Sequence, residues 1–311
     1  MSASERVQIR EVGPRDGLQP ERPLPVGLRA DLVTDLVVHA GLREIEAVAF
    51  VSPKAVPAMA GAAELMALLR QRRVGGEIPA ATRFVALVPN VRGAQLALDA
   101  GVDALSVTVS ASEGYSQRNV GMSREQAVAQ AAEIFAVVGG AVDIDVVVSC
   151  AFGSPYEGDL DVVELVRLCE LLRPSCTSLT LADTTGMATP RLIRAALAAL
   201  DPLAVGLHLH ETRHTGLLNA FAGLEAGVRR FDTSVGGLGG SPFAAGAAGN
   251  VATEELVALL EAEGFATGVA LEELCDVARR LGDTLGRRVP SAVAYVGSRA
   301  ARATVAESTE G

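Results

Sequence analysis

Apolar residues recur along this chain in two alternating rhythms. Short runs rich in Val, Ile, Leu, Thr and Phe fall at 7–13 (VQIREVG), 44–50 (EIEAVAF), 82–88 (TRFVALV), 104–110 (ALSVTVS), 143–150 (DIDVVVSC), 178–184 (SLTLADT), 204–211 (AVGLHLHE) and 230–236 (RFDTSVG). Between them lie segments such as GLRADLVTDLVVHAG, SREQAVAQAAEIFAVV, DLDVVELVRLCELL, TPRLIRAALAAL and TGLLNAFAGLEAG, whose apolar residues return every three or four positions. The first rhythm predicts strands and the second amphipathic helices. Strand–helix alternation implies a parallel sheet with right-handed crossovers, and eight repeats close a (β/α)8 barrel. An open doubly wound sheet competes, but no G-x-G-x-x-G follows the first run. Two more helical patterns, 251–264 and 270–285, follow the eighth run. The expected fold class is therefore α/β, a (β/α)8 TIM barrel with additional C-terminal helices. No linker rich in Pro, Gly or Ser divides the chain, so one domain is expected over 1–311: a barrel at about 7–264, a helical extension at about 265–297 and a frayed tail at 298–311.

Composition narrows the function classes. Apolar residues make up 49% of the 311 and aromatics only 4%, so Ala, Val and Leu must fill the core. No stretch of about 18 residues is apolar without interruption, which argues against a membrane span. The N-terminal MSASERVQIREVG lacks the basic and apolar regions of a secretory signal, and a cytoplasmic location is expected. A net charge of −10 argues against a nucleic-acid surface. Cys150, Cys169, Cys176 and Cys275 show no paired spacing and are expected as reduced thiols. Lys54 is the only lysine, so a Schiff-base mechanism is excluded unless Lys54 lies in the pocket.

In a barrel, chemistry gathers at the C-terminal ends of the strands, and here those ends are polar. The first leads into Gly13-Pro14-Arg15-Asp16-Gly17, the sixth into Asp183-Thr184-Thr185-Gly186, the seventh carries His208 and His210, and the eighth leads into a glycine-rich loop reaching Ser241. A side-chain period of two puts His208 and His210 on one face of a strand and Leu207 and Leu209 on the other. Two inward imidazoles and a carboxylate such as Asp16 make a divalent-metal site. The same histidines read equally well as an inward pair satisfied by hydrogen bonds. Asp16 and Asp183 also suit turns. Arg15 reads as a surface cation or as a clamp for a carboxylate or enolate. Glu46 alternates with apolar neighbours and should face inward, where it needs a partner; Arg15 is the nearest on offer. Asn250 suits a helix cap, with Glu254 in the first helical turn.

Taken in order, EVGPRDGLQPE (11–21), IEAVAFVSPKAVPAM (45–59), VSCAFGSPYEGD (148–159), LADTTGMATP (181–190), HLHET (208–212) and GGLGGSPFAAGAAGNVATEEL (236–256) resemble the motifs of 3-hydroxy-3-methylglutaryl-CoA lyases, over about residues 7–290. The resemblance implies a metal-dependent TIM-barrel lyase that performs a retro-Claisen cleavage of a tertiary 3-hydroxyacyl-CoA, of the kind used in leucine degradation. It implies that Asp16, His208, His210 and Asn250 hold a divalent cation, Mg or Mn first and Zn or Co as alternatives. It also implies that Arg15 stabilises the enolate, that Glu46 and Asp183 are acidic active-site groups, that His208 takes part in proton transfer, and that Glu254 and Gln19 lie beside the metal or substrate. An acyl-CoA substrate and a homodimer are the partners it implies, with the polar stretch SASEGYSQRNVGMS (110–123) as an acyl-CoA contact, otherwise an ordinary loop.

The chain departs from that pattern at Ser241, where the family carries a cysteine that serves in proton transfer. An alkyl hydroxyl is a far weaker acid than a thiol, so the exchange changes the chemistry as well as the size. Glu211 and Arg213-His214 also depart, which bears on the substrate pocket. Three readings follow: a lyase for 3-hydroxy-3-methylglutaryl-CoA or a related substrate (citramalyl-CoA or a longer 3-substituted glutaryl-CoA), a Claisen-type synthase, and a metal- and CoA-binding protein without turnover. The 75 residues after the eighth run are few for a synthase's regulatory domain.

Overall fold

The computed structural model describes residues 5–200, 205–240 and 249–299. Eight parallel strands close into a barrel in sequence order. They are β1 (Gln8–Glu11), β2 (Glu44–Ala49), β3 (Arg83–Leu87), β4 (Ala104–Ser110), β5 (Asp143–Ser149), β6 (Ser178–Ala182), β7 (Val205–His208) and β8 (Arg230–Thr233). Around them run α1 (Val26–Val38), α2 (Ala62–Val74), α3 (Val91–Asp99), α4 (Glu113–Val120), α5 (Arg124–Val138), α6 (Val162–Leu172), α7 (Pro190–Ala199), α8 (Gly216–Glu225) and α9 (Thr253–Ala262), followed by α10 (Leu271–Leu285) and α11 (Val293–Val296). The expected barrel with C-terminal helices is what the chain forms.

Local signals set the helix starts. Ser123 and Gln126 form a reciprocal capping box on α5, Asn90 and Asp161 cap α3 and α6, and Thr189 caps α7 ahead of Pro190. One segment differs from expectation. Residues 113–120, read as loop, form α4, because Ser112 accepts from the backbone N–H of Tyr115 and Glu113 sits in the first turn. A polar helix this short lacks the apolar stripe by which sequence reveals helices.

The outward faces of the strands, including Ile45, Phe84, Leu105, Val107, Ile144, Val146, Leu179, Leu207 and Phe231, pack under the helices in one continuous apolar core. The inward faces carry most of the charged and polar residues of the strands. Register aligns Arg10 with Asp232 and with Glu44, Ser106 with Asp145, Asp145 with Ser178, and Ala182 with His208. In the buried lumen Arg10 donates twice to Asp232, at 2.8 and 2.6 Å, and reaches Asp145 at 2.9 Å. Arg230 also bonds Asp145, at 2.9 Å, and occupies space that Gly206 leaves open: a Cβ there would lie 2.6 Å from the Arg230 Nε. Paired in this way, the charges line the lumen floor below the mouth. Cys150, Cys169 and Cys275 are buried free thiols and Cys176 is half-buried. Lys54 is exposed in the turn after β2, so it is no desolvated amine of the lumen. Among the described residues, no helix is long and apolar enough to cross a membrane.

Candidate active site

The chain leaves β1 in a single π-helical turn, Gly13–Gly17, in which the N–H groups of Arg15, Asp16 and Gly17 all point at the Val12 carbonyl. Such turns are rare and concentrate at functional sites. This one folds Arg15 and Asp16 over the barrel mouth. The Arg15 guanidinium donates to Glu46 of β2, to Asp16 Oδ1 at 2.6 Å and to Gln19 Oε1 at 3.4 Å. Glu46 is 1% exposed, so the inward carboxylate has the partner its burial demands.

His208 ends β7 and faces inward, but the strand is shorter than expected: His210 lies beyond it. It is held instead by an isolated antiparallel bridge to Asn250, in which the N–H of Val251 donates to the Leu209 carbonyl at 3.0 Å. That bridge draws the chain after β8 across the mouth and brings Asn250 to the histidines. Asn250 is therefore a bridge residue and not the cap of α9, whose N-cap is Ala252. Its Nδ2 donates to Asp16 Oδ2 at 2.7 Å and to the Leu238 carbonyl at 3.1 Å.

The Nε2 atoms of His208 and His210 lie 3.1 Å apart, and His208 Nε2 is 3.9 Å from Asp16 Oδ2. One donor atom from each of Asp16, His208 and His210 falls within 4.8 Å of the others. Asn250 Oδ1 is buried without a hydrogen-bond partner. Two imidazoles and a carboxylate around one point, with the amide of Asn250 bonded to that carboxylate and its oxygen unsatisfied, fit a divalent cation with open positions. Behind them Asp232 Oδ2 faces His208 Nδ1 at 3.2 Å, while Arg10 fixes Asp232. An N–H at Nδ1 donating to that carboxylate leaves the Nε2 lone pair aimed at the mouth.

Electrostatics agree with this geometry. Burial works against the charge of Asp16, but Arg15, the two imidazoles and the Asn250 N–H overcome it and hold the carboxyl at about 2. Burial, aided by His208, pushes His210 down to about 4, which keeps it a neutral ligand. His208 is raised, burial being outweighed by Asp232 and Asp16. Asp183 follows β6, 1% exposed; burial lifts it to about 7 although the backbone N–H groups of Ala188 and Met187 bond it, and its Oδ2 has no partner. Glu254, in the first turn of α9, accepts from the Gly236 N–H at 2.9 Å, and burial raises it to about 8. It braces the turn leading to the glycine-rich loop rather than touching the histidines. Ser241 lies outside the described residues.

Asp232 and Arg10 were not among the expected site residues. Both lay within the first and eighth runs, at period-two positions shared with Gln8 and Arg230, and charges on the inward face of a barrel strand were the signal that could have found them.

Comparisons with known proteins follow the same lines. The profile of the HMGL-like family matches residues 6–281. The chain is 40% identical, over 99% of its length and all of the relative's, to the 3-hydroxy-3-isohexenylglutaryl-CoA/hydroxy-methylglutaryl-CoA lyase of Pseudomonas aeruginosa. It is 37% identical, over 94% of its length and 95% of the relative's, to the (R)-citramalyl-CoA lyase of Chloroflexus aurantiacus. Among solved structures, an HMG-CoA lyase from Acinetobacter baumannii in complex with coenzyme A and 3-methylmalate superposes with a TM-score of 0.89 at 36% identity, covering 96% of this chain and 98% of that one. Matched along nearly its whole length by these lyases and by their family profile, the chain belongs to the HMGL-like family of carbon–carbon lyases.

Proposed function

We propose that this enzyme cleaves the C2–C3 bond of a branched 3-hydroxyacyl-CoA bearing a second carboxylate, 3-hydroxy-3-methylglutaryl-CoA being the leading substrate, to acetyl-CoA and a keto acid, acetoacetate in that case. The observation that carries the reading is the convergence of half-buried Asp16 with buried His208 and His210 beside the Arg15 guanidinium. Asp16, His208, His210 and the Asn250 amide oxygen would hold the cation, Mg or Mn first and Zn or Co as alternatives. When bound, it supplies a Lewis acid that acidifies and orients the 3-hydroxyl.

The protein's own groups do the rest. Asp183, raised to about 7 and with one oxygen free, accepts the hydroxyl proton. As the C2–C3 bond breaks, its electron pair passes into the thioester enolate, whose oxygen Arg15 stabilises while Glu46 fixes the guanidinium plane. Protonation at C2 then completes acetyl-CoA, the proton that Asp183 took from the hydroxyl being the one returned, with Ser241 hydrogen-bonding the substrate or a water. The polar face of α4 receives part of the coenzyme, and we read the protein as a cytoplasmic homodimer. Full-length likeness to the citramalyl-CoA lyase supports a second reading in which a shorter dicarboxylic acyl group is cleaved.

Incubation of the purified protein with Mg²⁺ or Mn²⁺ and 3-hydroxy-3-methylglutaryl-CoA, followed by assay of acetoacetate and acetyl-CoA, tests this. Turnover by the parent protein is expected. Turnover that appears only in Ser241→Cys would mean that the serine has cost the chain its activity.

A further inference from the structure

Asp183 lies one residue past the end of β6, so the strand ladder fixes only its start, where its N–H donates to the His208 carbonyl at 2.8 Å. The carboxyl itself is set by the turn that follows. Asp183 Oδ1 accepts from the Ala188 N–H at 2.9 Å, Oδ2 is buried without a partner, and the Asp183 carbonyl accepts from the Gly186 N–H at 3.1 Å. Wherever residues 184–188 move, the carboxylate moves with them. On the β5 side the turn is held by its own threonines: Thr184 Oγ1 accepts from the Cys150 N–H at 3.0 Å, and Thr185 Oγ1 donates to the Gly153 carbonyl at 2.9 Å. On the β7 side it is held by two side chains that the reaction does not otherwise use. Arg213 Nη1 donates to the Gly186 carbonyl at 2.5 Å and to the Thr185 carbonyl at 3.3 Å, while fully buried Asn219 of α8 donates from Nδ2 to the Ala188 carbonyl at 3.1 Å. Gly186, at a φ of +64°, comes so close to the next segment that a Cβ there would run into Thr212. The arginine is in turn aimed by a braced backbone. The Glu211 carboxylate accepts from the N–H groups of Gly216 and Leu217, at 3.2 and 2.8 Å, and the Glu211 carbonyl accepts from the His214 N–H at 2.9 Å. His214 closes that turn at a φ of +53°, a conformation uncommon outside glycine and concentrated at functional sites.

We propose that Arg213 is a positioning residue for Asp183: through the Thr185 and Gly186 carbonyls it holds the turn whose far end, Ala188, fixes the carboxylate that takes and returns the proton. The inference rests on the lyase reading above, in which Asp183 acts in both proton transfers. Arg213 touches backbone and not substrate in this arrangement, so its contribution lies in alignment. A base displaced by about 1 Å from the proton it abstracts loses on the order of 100-fold in rate, even where substrate binding is intact. Asn219 holds the Ala188 end of the same turn, and the two side chains together leave the carboxylate little freedom to swing away from the mouth.

The test compares Arg213→Met, which keeps the apolar stem and loses the donors, with Arg213→Lys, whose ammonium can still donate to carbonyls. Both are assayed in saturating Mg²⁺ on whichever of 3-hydroxy-3-methylglutaryl-CoA and citramalyl-CoA the parent protein cleaves. Arg213→Met is expected to lower kcat by about ten-fold or more with KM within about two-fold of the parent, the pattern of lost alignment in the transition state rather than lost substrate binding. Arg213→Lys is expected to recover most of that loss. Arg213 is exposed, so both variants are expected to keep the parent far-ultraviolet dichroism, and calorimetric titration should give them the parent Mn²⁺ affinity, because the clamp bears on Asp183 and not on the groups that would hold the cation. A parent-like kcat in Arg213→Met overturns the proposal. So does a raised KM at the parent kcat, which would put the guanidinium on the substrate, and so does a loss of Mn²⁺ affinity in step with kcat, which would mean a general loosening of the mouth. In each of those cases the lyase reading stands. If the parent protein cleaves neither thioester, the reading and the positioning role fall together.

Discussion

At the scale of single residues, the site depends on a relay that begins away from the reacting centre. Arg10 is 1% exposed, and such a cation is tolerable only because Asp232 and Asp145 surround it. Asp232, held far below the usual carboxylate range by Arg10 and His208 in spite of burial, is the acceptor that fixes the His208 tautomer. Asp232→Asn keeps the size and one acceptor but weakens the hold on the imidazole. It is expected to reduce divalent-metal affinity by about 10- to 100-fold, measured by calorimetric titration of Mn²⁺. His208→Ala, which removes a ligand outright, is expected to abolish both metal binding and turnover. Unchanged Mn²⁺ affinity in Asp232→Asn would remove Asp232 from the relay.

At the scale of elements, the eight strands were legible because short runs rich in Val, Ile, Leu, Thr and Phe recur between the helical stripes. Seven helices were legible from their stripes. What sequence could not show is how chain segments outside the ladder approach one another. His210 was expected on the strand, yet β7 stops at His208, and a pairing with residues 40 positions later holds it in place. Such a contact has no local signature. The turn after β8 is likewise fixed by distant carboxylates. Glu11 accepts from the N–H groups of Gly13 and Val235, at 2.7 and 2.8 Å, and from the Thr253 hydroxyl at 2.5 Å, while Glu254 accepts from Gly236, whose φ of +71° favours glycine. Burial raises Glu11 to about 7 and Glu254 to about 8, so between pH 4.5 and those values the folded chain keeps protons that the unfolded chain releases. Stability from these groups is full near pH 4.5 and is lost as pH rises through 7 to 8. His210, lowered to about 4, opposes this trend only below about pH 6.5; above it Asp183, also raised to about 7, and the raised His208 lose stability in the same direction, so the part due to Glu11 is read from the difference between the parent and Glu11→Gln. Urea unfolding midpoints are expected to fall from about pH 6.5 to 8.5, and less steeply in Glu11→Gln. An equal slope in both proteins would show that Glu11 does not titrate there.

At the scale of the whole molecule, the lumen divides stability from chemistry. Its floor is held by the ion pairs of Arg10, Asp145, Arg230 and Asp232 and by backbone ladders that close around eight strands, none of which depends on a cation. Its mouth gathers Asp16, His210 and Asn250 on segments that lie outside the ladder, with an amide oxygen and an imidazole nitrogen unsatisfied. Metal binding should therefore tighten the mouth without building the barrel, unlike small zinc domains in which folding waits for the ion. Chelation is expected to leave the far-ultraviolet dichroism and a single cooperative transition intact. Restoring the cation at 100 times its Kd should raise stability by about 2.7 kcal/mol, a shift of a few degrees in Tm for a chain of this size. The gain should vanish in Asp16→Ala, where the carboxylate is missing while the floor remains. If chelator unfolds the parent chain, the cation is part of the scaffold; if added metal moves Tm equally in the parent and in Asp16→Ala, the ion binds somewhere other than the mouth.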